Sequence, residues 1–127
     1  MSYFNLQEKL KELKNEEIIW IIYIGIIVLS FYSNFLERKY YIYNDILSKD
    51  KYRKIMIFIF LILIIVYYYF LKDSYDSYKN LKENDSKEKK QLVTLSFIAS
   101  SFIFISGIIF LYIAIKDQNM DVELAFN

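Results

Sequence analysis

The pattern of this chain predicts an all-α membrane protein, with three transmembrane helices in an up-down-up bundle preceded by a short amphipathic helix. Hydrophobic residues fill 56% of its 127 positions, against roughly 45–50% in an ordinary soluble domain. They collect in three long runs without a charge, and charged segments separate the runs. Buried helices of a soluble core would carry polar faces, which runs of this length and composition lack.

Residues 1–16 place Tyr3, Leu6, Leu10 and Leu13 at three- and four-residue spacing among lysines and glutamates, the period of an amphipathic helix. Asn5 with Glu8 reads as its capping box. Two heptads are short for a coiled coil, so a helix lying on the headgroups is expected in preference to one paired with a partner. The first span, Ile18–Leu36, has nineteen residues, about 28 Å as a helix and enough to cross a hydrocarbon core. Its long polar lead and the lack of a small-x-small site after it argue against a cleaved secretory signal.

The first loop, residues 37–54, brackets "YYIYNDIL" between charged clusters and is expected to run along the interface. The second span, residues 55–71, has seventeen residues, and the third, 92–115, has twenty-four; the shorter is near the lower limit and the longer crosses with tilt. Between them, Lys72 with Asp76 and Lys79 with Glu83 have helical ion-pair spacing, so the second helix should continue to near Glu83. Asn84 and Asp85 then form a turn, with Asp85 and Glu88 as a capping box for the third helix. Residues 17–116 thus form the transmembrane domain, and 117–127 a short acidic tail.

Composition excludes several chemistries. The chain has no cysteine and no histidine, which removes disulfides, thiolate nucleophiles, cysteine-bound metals, the commonest general base and the usual pH switch. Two glycines cannot build a phosphate-binding loop, so no nucleotide is expected. A net charge of +1 gives no electrostatic footprint for nucleic acid. No charge lies inside any span, and the usual flag of ion pathways and proton relays is therefore missing. No catalytic residue, cofactor or metal site is expected.

Three groups of residues stand out. Tyr23, Ser30, Asn34 and Glu37 fall on one face of the first helix as a polar seam, whose groups either line a pathway or bond to backbone for ~0.6 kcal/mol each. Ser96, Ser100, Gly107 and Ala114 form a small-residue stripe that marks the third helix as the packing helix, against its own neighbours or another copy. The second span has nothing smaller than valine and suits a lipid-facing position. Tyr67, Tyr68 and Tyr69, in "YYYFLKDSYDSY", are interfacial anchors, since the ring prefers the acyl boundary and the hydroxyl prefers water. Asp73, Asp76, Asn80 and Glu83 also share a face, but lysines crowd the same turns, which favours a solvated helix over a calcium site.

The outline resembles small bacterial diacylglycerol kinases, whose membrane-surface glutamates and asparagine have no counterpart here beyond "SNFLE". Phage holins can also have three spans, with basic tails unlike "KDQNMDVELAFN". Residue usage has the bias of an AT-rich genome, as in bacteria. The expectation is a small multi-pass protein of the cell membrane that acts by helix packing as a subunit, regulator or immunity-type partner of another membrane component. The alternatives are a homo-oligomeric channel or transporter lined by Ser30, Asn34 and the third-helix serines, and, third, a membrane-embedded lipid-modifying enzyme. The side holding the N-terminus and second loop has nine Lys and Arg against seven opposite, which favours the N-terminus inside.

Overall fold

The computed structural model describes residues 3–122 and 124, with side chains from Leu6 onward, and all three apolar runs are helical in it. Helix α1 spans Tyr3–Tyr43, α2 Ile46–Lys79 and α3 Lys87–Lys116; no strand occurs among the described residues. Each helix is long and apolar enough to cross a membrane. With 41, 34 and 30 residues they measure about 62, 51 and 45 Å, so every one outruns a ~30 Å hydrocarbon core.

The separate N-terminal helix expected from the sequence is instead the first turns of α1. No glycine or proline stands between Leu13 and Ile24, and a helix propagates readily once nucleated. The leucines therefore lie on a rod continuous with the first span. Residues 1–2, 123 and 125–127, at the ends of the N-terminal segment and acidic tail, lie outside the described residues, as does the side chain of Asn5.

The first loop is also corrected, because only Asn44 and Asp45 separate α1 from α2. Asn44 has φ 53, a left-handed conformation that asparagine tolerates and that ends a helix. Asp45 then caps α2: its carboxylate accepts from the Leu47 N–H at 3.2 Å and the Ser48 hydroxyl at 2.9 Å. The result is a tight antiparallel helical hairpin.

At its other end α2 stops at Lys79, a turn before the expected Glu83, where the Asn80 N–H bonds back to the Asp76 and Tyr78 carbonyls. Ser86, not Asp85, is the N-cap of α3, accepting from the Lys89 N–H at 3.1 Å. Asp85 staples the turn instead, taking the Lys82 N–H at 2.8 Å and the Lys89 ammonium at 3.3 Å. Among the described residues the ion pairs that form are Lys54–Asp50, Lys89–Asp85, Lys39–Asp45 and Lys9–Glu12, and neither pair expected around Lys72 and Lys79 is present.

Helix α2 is the centre of the molecule. Met56, Ile59, Phe60 and Leu63 are at most 1% exposed, which overturns the lipid-facing position expected for this span. A close helix contact needs small residues on one side only. Here the flanking helices supply them, Ser33 on α1 and Gly107 and Ala114 on α3, all buried, and the large side chains of α2 fill the gaps. On α1 the buried Ile19, Ile26 and Ser33 recur every seven residues, the seam of a left-handed helix pair. On the other flank, Phe60 stacks on Phe110 at 5.6 Å, Tyr68 meets Phe104 at 6.1 Å, and Tyr75 and Tyr78 flank Phe97 at 5.6 and 5.3 Å. Those pairs run in opposite directions along α2 and α3, so the two are antiparallel. Among the described residues no α-carbons of α1 and α3 approach within 8 Å. The three helices thus form an open array around α2 in place of a closed bundle.

Candidate functional site

Two polar pockets lie on α2, one toward each end. The first is a crevice of about 400 Å³ bordered by Tyr23 and Glu16 of α1, Tyr67 and Ser74 of α2, and Ser96 and Ser100 of α3. The Ser74 hydroxyl lies 2.9 Å from that of Ser100 and 3.4 Å from that of Ser96. Half of the small-residue stripe therefore meets α2 of its own chain through hydroxyl pairs. The other half is steric: a Cβ built on Gly107 would lie 3.0 Å from Cδ2 of Tyr67 and 3.4 Å from Cγ1 of Ile64, and Ala114 is buried.

Asp73 also borders this crevice but accepts no hydrogen bond from its hydroxyls. Partial burial, and after it the charges of Glu12, Asp76 and Glu16, raise its pKa above the usual carboxylate value. The N-terminal rod of α1 therefore runs beside the C-terminal extension of α2 with like charges facing. Among the described residues no group of three carboxylates could hold a metal ion.

The second pocket, about 240 Å³, lies at the opposite end, where α1 ends, α2 begins and the tail leaves α3. Glu37, Tyr41, Tyr52, Arg53 and Asp117 give it a polar lining, and Met56 and Leu124 are among its apolar walls. Asp117 folds the tail back by accepting the Asp121 and Val122 N–H groups at 2.9 and 2.8 Å. Those two bonds are the largest causes holding its carboxyl below the usual range. Leu124 is thereby packed into the main core. Arg53 donates to the Ile115 carbonyl at 3.1 Å, tying the start of α2 to the end of α3.

The polar seam of α1 is divided between these pockets. Tyr23 faces the crevice and Glu37 the second pocket. Ser30 is spent on the Ile26 carbonyl of its own helix at 2.8 Å, and Asn34 is exposed. Of the three anchor tyrosines, Tyr67 turns inward to Gly107, Tyr68 is 56% exposed, and Tyr69 packs edge-on against Phe70. The sequence reading missed Ser33, Ser74, Tyr52, Arg53 and Asp117. Ser33 had a signal in its seven-residue spacing from Ile26. Arg53 had none, because its partner, the Ile115 carbonyl, lies 62 residues away in sequence.

In the crevice the Ser74 hydroxyl is paired with the Ser100 and Ser96 hydroxyls, and among the described residues no carboxylate accepts from it. Comparison with protein-family models, with curated proteins and with solved structures finds no match to this chain.

Proposed function

We propose that this is a three-pass membrane protein that acts by helix packing, as a subunit or regulator of another membrane component. The carrying observation is the leucine stripe on α1 before its apolar span, where Leu6, Leu10 and Leu13 are 45%, 55% and 42% exposed. Inside lipid such exposure has no cost. In water, on a rod that continues past the bilayer, an apolar stripe of helical period suits a partner helix. The open array adds to this, because the crevice between α1 and α3 offers serine and tyrosine hydroxyls to a helix entering from the side. In this reading the chain crosses the cell membrane up-down-up with its N-terminus inside.

The test compares the intact protein with a Leu6→Ser, Leu10→Ser, Leu13→Ser variant after purification in mild detergent. A second protein in fixed stoichiometry with the intact chain, lost from the variant while its helix content is unchanged, is the expected outcome. A pure homo-oligomer unaffected by the substitutions would contradict it and favour the channel reading.

A further inference from the structure

We propose that the second pocket binds the headgroup of a membrane lipid that carries both a phosphate and a primary ammonium. This rests on the membrane reading but not on the existence of a protein partner. The first observation is a pair of unmet donors. Tyr52 is only 3% exposed and its hydroxyl has no partner, nor has the buried Nε of Arg53. Burial first, and then the charge and hydrogen-bonding influence of the nearby Glu37 carboxylate, raise the phenol's pKa, while no acceptor stands in good hydrogen-bond geometry at the hydroxyl itself. The phenol thus remains an O–H donor. A buried donor left unmet is costly, so the occupant must present acceptors, and a phosphate beside a guanidinium and a hydroxyl does so with charge assistance.

The second observation is charge. Glu37 lines the same space, and a bare anion would be repelled by it. Asp117 is occupied by the Asp121 and Val122 N–H groups, which leaves Glu37 to receive a positive group. A primary ammonium offers three N–H donors at one point, whereas a choline head has none and is wider. Third comes depth. Glu37 follows the first span by one residue, Arg53 precedes the second by two, and Asp117 follows the third by two. All three sit where the hydrocarbon gives way to headgroups, and Met56 and Leu124 provide apolar surface beneath. A volume of about 240 Å³ equals that of roughly eight waters at ~30 Å³ each, ample for the phosphate, two carbons and nitrogen of such a head.

The experiment measures thermal unfolding of the full chain in phosphatidylcholine nanodiscs, alone and with phosphatidylethanolamine or phosphatidylglycerol at one fixed mole fraction. The unfolding midpoint should rise with phosphatidylethanolamine and rise little with phosphatidylglycerol. Tyr52→Phe should lose that rise without being less stable in phosphatidylcholine alone, because the hydroxyl it removes is unpaired there. Glu37→Gln should lose the preference between the two lipids. An equal rise in wild type and Tyr52→Phe would mean a bulk bilayer effect, and no rise with either lipid would mean that the pocket holds water; each overturns the proposal. Stabilisation by soluble phosphoethanolamine in place of the lipid would overturn the lipid assignment. None of these outcomes depends on whether a partner co-purifies.

Discussion

Gly107 and Gly25 show how little a residue's identity says without its neighbours. Both are helical glycines in apolar spans, yet a Cβ on Gly25 meets nothing within 4 Å while one on Gly107 touches the Tyr67 ring. Gly107→Leu should therefore destabilise the protein by about 1–3 kcal/mol through overpacking, and Gly25→Ala should be neutral or stabilising by up to ~1 kcal/mol. Unfolding by detergent titration, followed by circular dichroism, distinguishes them; equal effects would remove Gly107 from the α2–α3 contact. The stripe containing Gly107 was legible in the sequence because small residues at period 3.5 are rare in so bulky a chain. The surroundings of Tyr67 were not, since an exit from the membrane and a helix contact both select tyrosine.

Two aspartates at opposite ends should respond to pH in opposite senses. The Asp117 carboxyl is held below its ordinary value of 3.8 in the fold, so its contribution is complete above that pH and is lost as pH falls through the lower folded value. Asp73 is held above 3.8 by partial burial and its acidic neighbours; its contribution is complete below 3.8 and is lost as pH rises through the raised value. Asp73→Asn should then raise stability at neutral pH, and Asp117→Asn should lower it and loosen the tail. Stability measured across the acid range checks both; a fall in neutral-pH stability on Asp73→Asn would show that the facing carboxylates of α1 do not act on it.

At the scale of elements, the spans could be read directly because a bilayer demands long apolar runs, but their ends could not. The charged and aromatic residues of 37–54 suggested an interfacial loop, while "YND" held the decisive signal: asparagine for a left-handed residue, then aspartate for a cap. Asp45→Ala should cost about 1 kcal/mol, within the ~0.5–2 kcal/mol range of lost caps. Asn44→Gly should be tolerated, since glycine accepts positive φ. Proteolytic susceptibility of the 44–45 turn in detergent reports on both, and an Asn44→Gly variant cut as readily as Asp45→Ala would argue against the hairpin.

At the scale of the whole molecule, the central position of α2 was hidden by a sound rule applied to one helix at a time. Bulky spans avoid close contact with each other, but a bulky span is a good partner for two that carry small residues. Order in the array is a property of the three helices together. In lipid the transfer term of a large-to-small change is largely absent, so Phe60→Ala should cost less than the ~3 kcal/mol lower bound typical of soluble cores. It should still exceed the cost of Phe102→Ala, as Phe102 is 66% exposed.

The central claim, that these helices cross a bilayer in succession, is tested most directly by labelling single cysteines from each side of sealed vesicles. The chain has no cysteine of its own, and Asn44 and Asn84, at the two exposed inter-helix turns, are accessible positions, unlike the buried Ser48. Asn44→Cys and Asn84→Cys should each react with an impermeant reagent from one side only, and from opposite sides, with Asn84→Cys reached from within the cell. Labelling of both from the same side would contradict the three-pass arrangement.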